Sequence, residues 1–263
     1  ASNRTGSDFK TGLHPGDFLM QPVDYTRYYL KWHKNTPEHR DFVASHYKSL
    51  LLTHLPADKS GHIIDVGCGT GLALSFLQGV GYKFIEGVDS DVGQVKLAKE
   101  AGLPVVHSLD TVGHLRERRG LAKCVLCLDV LEHIPKAGQI RFLQAIFEAL
   151  QPGGRLILTV PNANSSIAMR WRYNDWTHET SFTEHSLDFV LFHAGFQKIA
   201  VSPAEFVRRP PWYFLPVSGG RHWWAFCFFR LFRRLEMMAE LGPEQGRKVP
   251  LSLNLMAVAE RDG

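Results

Sequence analysis

A glycine-rich turn is the first pattern in the chain that indicates ligand binding. Residues 65–71 read DVGCGTG, and they stand between a predicted strand and a predicted helix. Glycine at 67, 69 and 71 lets the backbone turn sharply and approach a ligand closely. The spacing is G-x-G-x-G, whereas G-x-G-x-x-G is the pattern that seats a dinucleotide pyrophosphate on a helix N-terminus. The turn therefore favours a ligand without phosphates.

Asp89 strengthens that indication. It follows the next predicted strand, 24 positions after Asp65. A carboxylate at this place can accept hydrogen bonds from both hydroxyls of a ribose. Its alternative role is to cap the helix that begins at Val92, but Ser90 or Asp91 could fill that role instead.

Two clusters of acidic, basic and amide side chains follow later predicted strands. Residues 129–133 read DVLEH, and residues 174–185 read NDWTHETSFTEH. Because parallel strands present their carboxyl ends at one edge of a sheet, we expect both clusters to face the same crevice. In one interpretation His178 is a general base that Asp175 or Glu179 orients.

The elements that must position these residues alternate between strand and helix. Strands are predicted over 62–66, 83–88, 105–107, 124–128, 155–160, 196–202 and 251–260. Helices are predicted over 72–79, 92–101, 139–150 and 185–194, after one or two helices within 24–55. This alternation predicts an α/β fold, a mostly parallel sheet with helices on both faces. We expect a tail and helical cap over 1–60, the sheet domain over 61–263, and an insertion at about 208–248 before the last strand.

Four segments together resemble the class I S-adenosylmethionine-dependent methyltransferases. These are DVGCGTG, GVDSD, CVLCLDVLEHIP and LQPGGRLILTVPN, in the order and spacing of that family over about residues 60–200. The resemblance implies a Rossmann-like seven-stranded sheet whose last strand is antiparallel. It also implies S-adenosyl-L-methionine as the cofactor and an O-methyltransferase activity.

The same resemblance implies roles for individual residues. The glycines of the turn would wrap the methionine portion, Asp65 would face its amino group, and Asp89 would hold the ribose. Leu109 or Asp110 would lie beside the adenine, because HSLD stands where the family often has a Gly-Asp pair. The residues that end the fourth strand would lie near the sulfonium. The implied cofactor set is Asp65, Gly67, Gly69, Gly71, Asp89, Ser90, Leu109, Asp110, Leu128 and Asp129.

A second interpretation of the later clusters involves a divalent cation such as magnesium. Asp129, Glu132, His133 and the distant His178 resemble the metal ligands of small-RNA 2′-O-methyltransferases and of metal-assisted quinone-pathway O-methyltransferases. Two carboxylates and an adjacent imidazole can converge on magnesium or zinc. The LEH sequence also occurs in relatives that resemble metal-free enzymes, where its histidine packs or caps. These four residues are therefore candidates for catalysis and for metal binding.

The acceptor is predicted from residues 169–196, which resemble methyltransferases of bacterial polysaccharide and natural-product pathways. Tyr173, Asp175 and Trp176 are expected to bind the acceptor, since aromatic rings stack on sugars and polar groups bind hydroxyls. The leading acceptor is a sugar hydroxyl in a glycan or glycosylated metabolite. The alternatives are a small-molecule quinol or phenol and, in a different class, a cofactor-binding protein without catalysis.

Composition limits the partners and the location. The 263 residues carry a formal net charge of +4, too small an excess to predict nucleic-acid binding. No apolar run is long enough to span a membrane, and residues 1–13 lack the apolar core of a secretory signal, which predicts a cytoplasmic protein. Cys124 and Cys127 are expected to be buried strand residues that point to opposite faces of the sheet.

The insertion has two interpretations. Residues 212–241 are rich in Trp, Phe and Arg, and they include Arg230, Arg233 and Arg234. An apolar helix at this place could form a lid on the core or a homodimer contact. It could instead contact the inner face of the membrane, with Trp at the headgroups and Arg toward anionic lipid.

Overall fold

The computed structural model describes residues 25–31, 36–204 and 218–263. The expected N-terminal tail and the start of the insertion lie mostly outside the described residues. The helices are α1 (Tyr25–Tyr29), α2 (Pro37–Leu51), α3 (Leu72–Gly79), α4 (Val92–Glu100), α5 (Thr111–Arg116), α6 (Lys136–Ala149), α7 (Ala168–Asn174), α8 (Glu184–His193), α9 (Ser218–Leu241) and α10 (Pro243–Lys248). The strands are β1 (Ile63–Val66), β2 (Ile85–Asp89), β3 (Val105–His107), β4 (Ala122–Leu128), β5 (Leu150–Pro161), β6 (Lys198–Ala204) and β7 (Asn254–Glu260).

The strands form a seven-stranded sheet in the order β3-β2-β1-β4-β5-β7-β6. Strands β1 to β5 pair in parallel, and β7 runs antiparallel to both β5 and β6. The predicted Rossmann-like fold with an antiparallel last strand is therefore confirmed. The strand order reverses between β1 and β4, which is the place where open α/β sheets bind ligands.

Helices cover both faces of the sheet because successive strand side chains point to opposite sides. Ile64 and Cys127 belong to the core layer that packs on α6 and α8. Ile63 and Cys124 belong to the layer that packs on α2, α3 and α4. The prediction that Cys124 and Cys127 are buried on opposite faces is confirmed, and all four cysteines are free.

The predicted N-terminal helices are present as α1 and α2. Helix α2 begins after Thr36, whose side chain accepts a hydrogen bond from the backbone N–H of His39 at 3.3 Å. Leu50 and Leu51 at the end of α2 lie in the same core as the sheet. The described part of the helical cap is therefore packed directly on the sheet domain.

Three short helices, α5, α7 and α10, are not among the predicted elements. Each has six or seven residues, too few to show an apolar period of its own. Strand β5 also begins at Leu150 instead of Arg155, since Leu150 pairs with Ala122 across an irregularity in the β4–β5 ladder. The intervening Pro-Gly-Gly sequence resembles a turn, which hides the first residues of the strand.

The described part of the insertion consists of α9 and α10, between β6 and β7. Arg234 joins the two helices by donating hydrogen bonds to the carbonyls of Gly246 at 2.6 Å and Val249 at 2.7 Å. Among the described helices, none is both long and apolar enough to cross a membrane.

Candidate active site

A cavity of about 930 Å³ opens at the carboxyl ends of β1, β2 and β4. Its walls contain residues from both predicted clusters and from the glycine turn. They include Asp65, Gly67, Gly69, Asp89, Ser90, Leu128, Asp129, Glu132, His133, Asp175 and His178. The topology thus brings most of the predicted site residues together in one place.

The glycine turn has the backbone conformation that its sequence predicts. Gly67, Gly69 and Gly71 have φ angles of 70°, 54° and 79°, a region that residues with a Cβ rarely adopt. At Gly67 a Cβ would also collide with the side chain of Val130. Gly67 and Gly69 line the cavity, whereas Gly71 is buried and begins α3.

Asp89 fastens the turn as well as facing the cavity. Its two carboxylate oxygens accept hydrogen bonds from the backbone N–H groups of Gly69 and Asp91, each at 2.8 Å. Each oxygen keeps a further lone pair for a ligand hydroxyl. The N-cap of α4 is Asp91, which accepts from the N–H of Gln94 at 2.9 Å. Asp89 therefore remains available for a ribose.

Asp65 is a buried carboxyl in the cavity wall. It is 2% exposed, and its Oδ2 atom has no hydrogen-bond partner among the described residues. Burial, with a smaller contribution from the charge of Asp89, raises the pKa of Asp65 to about 8. A ligand ammonium group would supply the missing partner, as the amino group of S-adenosylmethionine does in the predicted arrangement.

The two residues predicted to lie beside the adenine stand at the N-terminus of α5. Leu109 is 84% exposed, and Asp110 caps α5 by accepting a hydrogen bond from the N–H of Gly113 at 2.9 Å. Neither residue lines the cavity, whereas the neighbouring Thr111 does. The role of Leu109 or Asp110 at the adenine stays a prediction.

Asp129 lies at the end of β4 in a strained conformation. Its φ of 55° makes it the one non-glycine residue with positive φ in the described structure. The Oδ1 atom accepts hydrogen bonds from the Thr159 hydroxyl at 3.0 Å and from the Asn254 amide at 2.9 Å. Asp129 lines the same cavity as Glu132, His133 and His178, but it is not among the residues whose potential ligand atoms converge.

Those three residues form a compact group beside Asp129. One potential ligand atom from each of Glu132, His133 and His178 lies within 4.8 Å of the others. The His133 and His178 rings meet edge to face, with centroids 4.5 Å apart. Glu132 is 1% exposed, and its Oε2 atom has no hydrogen-bond partner among the described residues. Burial, together with the charge of Asp129, raises the pKa of Glu132 well above its usual range.

The backbone around Glu132 holds the two clusters together. The Glu132 carbonyl accepts hydrogen bonds from the N–H groups of Glu179 at 2.7 Å and Thr180 at 3.3 Å. The Gln139 amide on α6 donates to the carbonyls of Leu131 and Ile134 and to the Thr180 hydroxyl. The loop after β5 is thus fixed to the turn after β4.

A chain of hydrogen bonds orients His133. The Thr177 hydroxyl lies 2.6 Å from Oδ1 of Asp175 and 2.8 Å from Nδ1 of His133. Because a carboxylate can only accept, Thr177 donates its single proton to Asp175 and accepts from Nδ1–H of His133. His133 therefore keeps a lone pair on Nε2. Burial, and then the neighbouring His178, lowers the pKa of His133 to about 4, so the ring is neutral.

Asp175 is the acceptor at the far end of this chain of hydrogen bonds. Although burial opposes its charge, the Thr177 hydrogen bonds and the adjacent histidines lower its pKa. Its Oδ2 atom accepts a hydrogen bond from the Tyr25 hydroxyl at 3.0 Å and lies 3.7 Å from Nε2 of His178. Both carboxylate oxygens thus contact protein groups while Asp175 also lines the cavity, and its predicted acceptor-binding role stays a prediction.

The other two predicted acceptor residues lie elsewhere. Tyr173 is 72% exposed and Trp176 is 94% exposed, and neither lines the cavity. The aromatic wall consists of tyrosines that the sequence analysis did not assign to the site: Tyr25, Tyr28, Tyr29 and Tyr47. Three of them recur at helical spacing on α1, a signal that the sequence does carry. Tyr28 donates a hydrogen bond to the Asn174 carbonyl at 3.1 Å, which ties α1 to the loop after β5.

Comparison with known proteins gives the family. Residues 38–201 match the family described as "Methyltransferase domain". A SAM-dependent methyltransferase from Archaeoglobus fulgidus has a similar structure, with a TM-score of 0.64 and 18% identity over 90% of this chain and 100% of that one. A possible histamine N-methyltransferase from Thermotoga maritima gives a TM-score of 0.59 and 14% identity, with 90% and 96% covered. At these identities the structural likeness speaks for the fold.

Relatives in sequence carry the name ubiquinone biosynthesis O-methyltransferase. The protein from Pectobacterium atrosepticum is 26% identical over 151 residues, 56% of this chain and 58% of its own length. The protein from Xanthomonas axonopodis is 32% identical over 105 residues, 38% of this chain and 43% of its own. The chain thus matches about half the length of these relatives. From the family match, we conclude that the chain belongs to the methyltransferase domain family, with the fold of the class I S-adenosylmethionine-dependent methyltransferases.

Proposed function

We propose that the protein transfers a methyl group from S-adenosyl-L-methionine to a hydroxyl of a small phenolic or quinol acceptor. The observation that carries this proposal is the group of Glu132, His133 and His178 in the same cavity as the cofactor turn. A hydroxyl must lose its proton during methylation, and this group offers neutral imidazole nitrogen for that purpose. The names of the sequence relatives point to the same class of acceptor.

The cavity supports a small acceptor over the sugar that the sequence favoured. The cavity volume of about 930 Å³ lies in the range of about 300–1,000 Å³ that is typical of small-molecule sites, which suits a small acceptor better than a polymeric glycan. Its outer wall is formed by tyrosine rings, which suit an aromatic acceptor. The two aromatic residues expected to stack on a sugar, Tyr173 and Trp176, lie outside this wall.

In the reaction the acceptor oxygen attacks the methyl carbon while the bond from that carbon to the sulfonium breaks. S-adenosylhomocysteine leaves, and the acceptor proton must pass to a base. Nε2 of His133 is the candidate base, because Thr177 fixes the proton of this neutral ring on Nδ1. The cofactor turn, through Gly67, Gly69 and Asp89, holds the donor in line, and such alignment supplies much of the rate.

A divalent cation is a second means of activating the hydroxyl. Glu132, His133 and His178 would hold it, and the orphaned Oε2 of the buried Glu132 fits a ligand that supplies positive charge. Carboxylate and imidazole donors suit magnesium less well than zinc or manganese. When bound, the cation would polarise the acceptor hydroxyl and lower its pKa.

Incubation with isotopically labelled cofactor and a panel of acceptors tests the proposed function. We expect labelled methyl ethers from catechols or hydroquinones, detected by mass spectrometry, and none from hexoses. The same assay after dialysis against EDTA separates the two means of activation. Loss of turnover that zinc or manganese restores would support the cation, whereas full activity in EDTA would exclude it and leave His133 as the candidate base. Products only from sugars would contradict the proposal.

A further inference from the structure

We propose that α9 docks its exposed face on an anionic lipid surface. The six large apolar residues of this face are each 54% to 69% exposed: Trp224, Phe228, Phe229, Leu231, Phe232 and Leu235. Aromatic side chains present about 150–250 Å² each, so the face offers several hundred Å² of apolar surface, more than an isolated surface helix usually shows. This inference does not depend on the acceptor proposed above.

The described residues cover little of this face of α9. The main partner of α9 among the described elements is α10, which Arg234 holds from the other side of the helix. At 3.6 residues per turn the six apolar residues cover an arc of about 160°. Arg230, Arg233 and Arg234 lie on the remaining side and are only partly exposed.

The separation of a wide apolar face from a charged side of α9 favours lipid over a second copy of the chain as the partner. A two-helix dimer buries a narrow seam, whereas an arc this wide suits a helix that lies in the plane of a membrane interface. The helix contains four arginines and two glutamates, which leaves a net charge of +2. This charge lies on the side opposite the apolar face, where Arg233 pairs with Glu236 and Arg234 holds α10, so it acts on anionic lipid as a longer-range attraction that salt screens. Tryptophan is enriched at membrane–water interfaces, and tryptophan, phenylalanine and leucine are typical of the apolar face of interfacial helices.

Flotation of the full chain with liposomes tests this proposal. We expect binding to vesicles of phosphatidylcholine and phosphatidylglycerol in equal parts, weaker binding to phosphatidylcholine alone, and release by added salt. The triple variant W224S/F228S/F232S should lose the binding. The control F189S/F192S removes two aromatic residues of α8 that are 55% and 53% exposed, and it should bind as the unaltered chain does.

Three results would overturn the proposal. The first is the absence of co-flotation at low salt, and the second is equal binding by the triple variant. The third is a dimer in light scattering that W224S/F228S/F232S converts to a monomer, since a second copy would then cover the face. Unchanged thermal unfolding of both variants would show that any loss of binding comes from the face and not from misfolding.

Discussion

At the scale of single residues, the raised pKa of Asp65 should make cofactor binding depend on pH. Its pKa of about 8 means that the carboxyl is largely protonated at pH 6 and must ionise to pair with a ligand ammonium. We expect the affinity for S-adenosylhomocysteine to rise between pH 6 and 8, by up to about tenfold per pH unit. Titration calorimetry in two buffers would detect the released proton. The D65N variant should bind weakly with no such pH dependence, and an equal slope in D65N would contradict this role.

The same carboxyl should lower the stability of the ligand-free protein. Because its pKa is raised in the folded state from an ordinary value of 3.8, the folded state binds more protons than the unfolded one between about pH 4 and 8. Stability from this group is therefore lost as the pH rises through that range. At pH 7.5 the D65N variant should raise the free energy of unfolding by about 1 kcal/mol or more. Urea unfolding of both proteins at pH 4 and pH 7.5 measures this stabilisation. If the two proteins differ in unfolding free energy by the same amount at both pH values, Asp65 does not have this effect.

Thr177 should affect catalysis by fixing the tautomer of His133. Replacing it by valine keeps the shape but removes the acceptor for Nδ1–H, and we expect kcat to fall about 10–100-fold, as for other partners that orient a reactive histidine. The cofactor affinity should change little. The T177S variant restores the hydroxyl and should recover most of the rate.

A measurement on the ring itself separates this role from simple packing. Nitrogen NMR of the histidines should show the Nδ1–H form of His133 in the unaltered protein and in T177S. A mixture of tautomers should appear in T177V. An unchanged His133 spectrum in T177V, with the rate reduced, would mean that Thr177 acts only through packing.

At the scale of elements, the turn between β1 and α3 has a matched control elsewhere in the chain. Gly67 and Gly102 have nearly equal φ angles of 70° and 75°, but a Cβ would meet Val130 at Gly67 and open space at Gly102. Both alanine variants should lose about 1–2 kcal/mol of stability from the left-handed backbone. Only G67A should also lose cofactor binding in calorimetry. Equal loss of binding in the two variants would show that global stability, not the turn, is responsible.

The elements also show which parts of the site sequence reasoning can reach. The glycine turn and Asp89 are set by neighbours along the chain, so their order and spacing suffice to find them. The position of Asp110 as the cap of α5 is not visible in the sequence, because this short helix shows no apolar period. The 94% exposure of Trp176, two residues after α7 ends, likewise has no signal in the sequence.

At the scale of the whole molecule, the fold could be predicted because its alternating strands and helices each carry a local pattern. The details of catalysis could not, since they depend on contacts between distant segments. Tyr25 reaches Asp175 across 150 positions, and Asn254 reaches Asp129 across 125. Neither contact can be predicted from the spacing of residues along the sequence.

Those two contacts have a consequence for the time at which activity first appears. The cavity takes Tyr25 from the first described helix and Asn254 from the start of the last strand, so it needs both before its wall is complete. During synthesis, a chain that has emerged only as far as β6 lacks the strand that lies between β5 and β6. Methyl transfer must therefore wait until β7 has been synthesised and has paired with β5 and β6. A nascent chain cannot transfer methyl groups before β7 has inserted between β5 and β6 and completed the sheet.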